Sequence, residues 1–109
     1  MIIDFKNIEQ TNIKNFYGDT GKVSSNMFTD DMNRIMYGEL EPGDSIGMHK
    51  HESSSEIIYI LQGKGKAIYN GKEENLKSGI CHYCPKGNCH SIINDGKEKL
   101  VFFAVVPNL

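Results

Sequence analysis

Four histidines occur in this sequence, and two of them, His49 and His51, are two residues apart. On an extended strand that spacing sends both imidazoles to one face. Glu56 follows the polar stretch Glu52-Ser53-Ser54-Ser55 and heads the run Ile57-Ile58-Tyr59-Ile60-Leu61. A turn of that length brings its carboxylate alongside the pair. Two nitrogens and a carboxylate oxygen from adjacent strands suit a borderline divalent transition metal. His90, just past Pro85-Lys86-Gly87, is the candidate fourth ligand. Such a set leaves positions open for water, substrate or O2, as catalytic metal sites do and closed structural sites do not. It accepts iron, manganese, nickel, cobalt, copper or zinc, so the ligand types alone do not select the ion.

Cys81, Cys84 and Cys89, with His90, offer a rival set of zinc-ligand types at short spacing. Residues three apart on a strand face opposite sides, so Cys81 and Cys84 would chelate together only if the strand were broken. Cys89 precedes His90 and points away from it. All three are expected as free thiols behaving as small hydrophobes.

The elements that must carry these groups read as strands. From Arg34 onward, short runs of Ile, Tyr, Val and Phe are punctuated at Pro42-Gly43-Asp44, Gly63, Asn70-Gly71, Pro85-Lys86-Gly87 and Asn94-Asp95-Gly96. Asn70-Gly71 between two such runs predicts a type I′ hairpin, which needs positive φ at both central residues. No stretch sustains a 3.6-residue apolar period, so the fold class is all-β, a sandwich or barrel. The last strand, Leu100 to Val106, is apolar on both faces and is expected to be covered on both. Residues 1–33, rich in Asn, Thr, Ser and Asp with a turn at Gly18 to Gly21, are expected as an N-terminal arm of irregular strands. Their apolar residues imply packing on the barrel formed by 34–109 or on a partner subunit.

Length and composition fit one globular domain, with 39% hydrophobic and 24% charged residues. Twelve basic against fourteen acidic residues, net −2, offer no basic footprint for nucleic acid or anionic lipid. No apolar run approaches a membrane span, and the first residues lack the apolar core of a signal peptide. Three cysteines, an odd count, point to reduced thiols and a cytoplasmic location.

Two longer patterns enclose the candidate ligands. Gly43-x5-His49-x-His51-x4-Glu56-x6-Gly63 resembles the first cupin motif, and Gly79-x5-Pro85-x-Gly87-x2-His90-x3-Asn94 resembles the second. The resemblance implies a small single-domain cupin: a jelly-roll β-barrel with an N-terminal arm, commonly a homodimer. It implies that His49, His51, Glu56 and His90 hold one divalent transition metal ion. It also implies an inward-facing His82, either a general acid/base beside the metal, with Glu56 the other proton carrier, or a buried neutral histidine bonded to a carbonyl. Asn94 would tie down a turn. Two departures stand out. Ile80 replaces the usual acidic residue after Gly79. Ile46 occupies the position where the oxalate decarboxylase branch carries an arginine, which counts against oxalate chemistry. Arg34, Tyr37 and Glu39 precede the first motif on a strand whose facing the sequence leaves open. Two functions are expected from the whole. One is a metal-dependent dioxygenase, isomerase, lyase or decarboxylase acting on a small polar molecule by Lewis-acid or O2-dependent chemistry. The other is a sensor or storage module that binds a metal or small ligand without turnover.

Overall fold

Ten strands form among the described residues, which are 1–14, 16 and 21–108, in a computed structural model of the chain. They are β1 (Thr11–Lys14), β2 (Lys22–Thr29), β3 (Asn33–Leu40), β4 (Ser45–Lys50), β5 (Glu56–Gln62), β6 (Lys64–Tyr69), β7 (Lys72–Lys77), β8 (Cys81–Cys84), β9 (Cys89–Ile93) and β10 (Leu100–Pro107). A 3-10 turn, Phe5–Asn7, precedes them. The strands pair antiparallel in two sheets, one in the order β1-β2-β3-β10-β5-β8 and the other β4-β9-β6-β7. The all-β expectation and the jelly-roll layout hold. No helix among the described residues is long and apolar enough to cross a membrane.

Period-two alternation decides what each sheet buries. Along β5, Glu56, Ile58 and Ile60 point between the sheets while Ile57, Tyr59 and Leu61 point out. Leu40, Ile58, Ile60, Leu100 and Phe102 lie at the centre of the core with almost no exposed surface. Phe102 fits because its partner across the ladder is Gly38, whose missing side chain leaves the space that the aromatic ring fills. The β6–β7 hairpin turns on Asn70 and Gly71 at φ 48° and 81°, the two positive values that a type I′ turn requires. Buried Asn94 donates to the carbonyls of Leu40 and Glu98, both at 2.8 Å, and accepts from the Gly96 amide at 3.0 Å. It thereby ties down the turn between β9 and β10.

The N-terminal third contains regular strand. All eight residues of β2 lie in the six-stranded sheet, with Ser24 to Thr29 paired to β3, and β1 pairs with β2 in turn. Val23 and Ser25 are fully buried, and Ile13, Phe16 and Met27 pack against the core of this same chain. Serine and asparagine interleaved with those apolar residues make the segment read as irregular, because only alternate positions on a strand need be apolar. Most of the Gly18–Gly21 turn lies outside the described residues. The outer face of β10 is partly covered from the N-terminus, where the Phe5 ring sits 6.1 Å from Phe103 and 6.2 Å from Tyr37.

Candidate metal centre

The four residues predicted as ligands come together at one end of the barrel. His49 stands on β4, His51 just beyond it, Glu56 at the start of β5 and His90 on β9, directly across from His49. Their ligand atoms form a cluster able to hold a metal ion. A β-bulge makes this possible. Between the Ile46–Ile92 and His49–His90 pairs, β4 spends two residues, Gly47 and Met48, where β9 spends one. Ile46 and His49, three apart, would face opposite sides of a regular strand. The extra residue turns both inward. The bulge also holds the ligand, because His49 Nδ1 donates to the Gly47 carbonyl at 2.8 Å and so leaves Nε2 bare toward the cluster.

Six distances describe the set. The three imidazole Nε2 atoms lie 3.0, 3.0 and 3.1 Å apart. Glu56 Oε1 is 3.1 Å from His51 Nε2, 3.0 Å from His90 Nε2 and 4.0 Å from His49 Nε2. Atoms about 2.1 Å from a shared metal stand about 3.0 Å apart at right angles, about 3.4 Å apart in a tetrahedron and about 4.2 Å apart across the metal. Five edges near 3.0 Å and one at 4.0 Å fall within the spacings that atoms around one shared ion would take. Protons alone cannot satisfy the cluster, since three neutral imidazole nitrogens in mutual contact have too few hydrogens to bridge every pair. The donor set fits a divalent cation.

The electrostatics agree. Burial pushes the Glu56 carboxyl up, but hydrogen bonds and charge from His51 and His90 outweigh it and bring its pKa down to about 2. Burial likewise pushes His49 below its ordinary value, against the opposing pull of the Gly47 carbonyl. The carboxylate is ionised and His49 is biased neutral, the forms that metal ligation requires.

His82 is buried and faces inward, but it stands behind the cluster. Its Nε2 lies 3.0 Å from His90 Nδ1 and its Nδ1 lies 2.8 Å from Glu74 Oε1. Burial holds it below the ordinary histidine value, with Glu74 pulling the other way. Its partner is thus a carboxylate and a ligand ring, not a backbone carbonyl. The three thiols are free. Cys81 is exposed and Cys84 buried, on opposite faces of β8, and burial raises the Cys84 thiol to about 11.

Beside the cluster lies a cavity of about 20 Å3, walled by His49, His51 and Glu56, by Ile46 and by apolar residues of β1, β2, β3 and β10. Two polar side chains outside the ligand set line it, Ser25 and Arg34, and both carry a buried atom without a hydrogen-bond partner, Ser25 Oγ and Arg34 Nε. Arg34 was legible in principle. It shares its face of β3 with Met36, Gly38 and Leu40, which are buried at every second position. Glu74 shares its face of β7 with buried Leu76, a single apolar residue and a weak signal.

Comparison with known proteins agrees with this geometry. Residues 36–106 match the Cupin domain family. An oxalate-binding protein of Thermotoga maritima is 46% identical over 68 residues, covering 62% of this chain and 56% of that protein. A germin-like protein of Morus alba is 33% identical over 70 residues, covering 60% and 34%. The matches thus span from a third to little more than half the length of these curated relatives. A solved structure from Thermotoga maritima, described as a predicted oxalate decarboxylase, superposes with a TM-score of 0.92 at 34% identity over the whole of both chains. Two motifs, a two-sheet barrel and a ligand cluster at one end of it converge on one assignment: the chain belongs to the cupin family.

Proposed function

We propose that this chain holds one divalent metal ion through His49, His51, Glu56 and His90 and uses it to bind a small carboxylate anion. The observation that carries the reading is the shape of the ligand set, five edges near 3.0 Å and one at 4.0 Å. A metal held by these four side chains would keep coordination positions open, and a small carboxylate could supply oxygens to them. A metal bound there supplies Lewis acidity and positive charge. Arg34 lines the cavity with a buried Nε that has no hydrogen-bond partner, and a guanidinium there supports a negatively charged ligand. The expectation against oxalate chemistry rested on Ile46. Ile46 does line the cavity without a cation, but Arg34 brings one from β3, and a relative named for binding oxalate agrees with this.

Binding is favoured over turnover. Glu56 stays ionised at neutral pH and is a poor proton carrier there. His82, the other expected catalyst, does not line the cavity, and both its ring nitrogens are engaged. The test is calorimetric titration of oxalate into manganese-loaded protein. Binding is expected only when the metal is present, and Arg34→Met should weaken it roughly 10- to 100-fold, the worth of a charge-assisted hydrogen bond. Metal-independent binding, or full affinity in Arg34→Met, overturns the reading. Carbon dioxide release or oxygen uptake in the same cell would replace it with the catalytic one.

We further infer a homodimer formed through the outer face of the six-stranded sheet, in a reducing cytoplasm that suits three free thiols. Tyr37, Phe103, Tyr59 and Cys81 lie in one line across four strands of that face, and Ile57 pairs with Tyr83 beside them. Ile57, Tyr59, Leu61 and Tyr83 are 39–55% exposed in the single chain. An apolar stripe of this kind marks an interface. Sedimentation should give twice the chain mass, and Tyr59→Lys should halve it. A wild-type monomer at micromolar concentration overturns the dimer.

A further inference from the structure

Behind the cluster runs a chain of hydrogen bonds that the carboxylate-binding reading does not use. Glu74 Oε1 lies 2.8 Å from His82 Nδ1, and His82 Nε2 lies 3.0 Å from His90 Nδ1. The two imidazole planes are within 16° of each other. His82 stands on β8, the edge of the six-stranded sheet, and Glu74 on β7, the edge of the four-stranded one. Their bond crosses the seam between the two sheets. His82 has almost no exposed surface, whereas Glu74 is half-exposed, so the chain leads from the buried cluster to the protein surface.

A neutral imidazole has one N–H, so two such rings in series can be ordered in two ways. In the outward order, His90 donates from Nδ1 to His82 Nε2, and His82 donates from Nδ1 to Glu74. His90 Nε2 then offers a lone pair to the cluster. In the inward order, His90 donates from Nε2 to Glu56, and His82 donates from Nε2 to His90. That order leaves the bare Nδ1 of His82 facing the Glu74 carboxylate at 2.8 Å, two acceptors in contact with no proton between them. Two carboxylates thus compete for the direction of one chain. Glu56 draws the protons inward and occupies the atom a metal needs. Glu74 draws them outward and frees it.

We propose that Glu74 is a positioning residue: through His82 it fixes the His90 tautomer that presents Nε2 to a metal ion. The proposal rests on the metal reading above. The Gly47 carbonyl does the same for His49 at 2.8 Å, while the contact that would hold His51, to Ser54 Oγ, is long at 3.4 Å. A ligating histidine whose second nitrogen is engaged by a carboxylate or carbonyl is the usual supporting arrangement at metal sites. Here the carboxylate acts from one imidazole further away.

The test pairs a tautomer measurement with a binding measurement. Nitrogen-15 NMR of the metal-free wild type should show His82 protonated at Nδ1. In Glu74→Ala that signal should shift toward the Nε2–H form, and cobalt(II) affinity should fall about 10- to 100-fold, the usual cost of losing a group that supports a ligand histidine. Glu74→Gln keeps an acceptor oxygen in place and should restore most of both. Glu74 is half-exposed, so the variants should fold, which circular dichroism checks. An unchanged His82 tautomer in Glu74→Ala overturns the proposal, and so does a changed tautomer with unchanged cobalt affinity. Wild-type protein that takes up no cobalt overturns the metal reading instead. The His82 and His90 signals of the metal-free variants then decide whether Glu74 orders the chain.

Discussion

The two ends of this barrel are built from the same strands and do different work. Along β5 the inward residues run Glu56, Ile58, Ile60, and along β9 they run His90, Ile92. One step of two residues carries each strand from a candidate ligand to a hydrophobe. At the end away from the cluster the requirement is chiefly volume, met by the side chains of Leu40, Ile60, Leu100 and Phe102, with buried Asn94 tying down the adjoining turn. At the other end it is the placement of single atoms to a few tenths of an ångström. The first kind of requirement tolerates exchange of one hydrophobe for another of similar size. For the second, Asp in place of Glu56 would draw the carboxylate back by one methylene.

The largest expected effects separate the ends. His90→Ala removes a candidate ligand and should lower divalent-metal affinity by more than about 100-fold, beyond the range seen for supporting residues. Its fold should survive, because the apolar core lies elsewhere. Phe102→Ala should do the opposite. It should cost about 3–5 kcal/mol of stability, a large share of the 5–15 kcal/mol typical of a domain, while the folded fraction binds metal as before. Urea unfolding and cobalt titration of both variants check the division. Equal loss of metal affinity in both would mean that the two ends are not independent.

The same division explains how much could be read from the sequence. The candidate ligands were legible because chemistry and spacing coincide in them: His49, His51, Glu56 and His90 lie at fixed intervals between turn-forming glycines. The class of fold was legible because turns recur at strand intervals. What escaped depends on how strands face. A one-residue bulge at Gly47 and Met48 reverses the alternation of β4, and a lone glycine inside the strand is its only mark in the letters. Arg34 reaches the cavity from a strand whose facing is settled only by Met36, Gly38 and Leu40 beyond it. Glu74 meets His82 across a seam between sheets, a contact that joins residues eight apart through tertiary structure alone. Regular strand in the N-terminal third was hidden for a related reason, since Ser25 occupies an inward position where an apolar residue would have announced β2.

Acid should weaken the polar end in two stages, a smaller effect than either substitution. His49 and His82 are held below the ordinary histidine value of 6.5, both chiefly by burial. Below that value the unfolded chain takes up protons that the folded chain refuses, so the unfolded state binds more protons and stability falls with falling pH. Glu56 acts in the same direction lower down. Its folded pKa of about 2 lies below the ordinary 4.5, so the stability it contributes is complete above 4.5 and is lost as pH falls toward 2. Melting temperatures of the metal-free protein should therefore decline from pH 7 downward, with a second decline below pH 4.5. His82→Phe, which keeps an aromatic ring there without a titrating group, should flatten the first decline and leave the second. A melting temperature that rises between pH 7 and pH 5.5 would mean that these histidines are charged in the folded protein, and with them the case for a cluster arranged to receive a cation would fail.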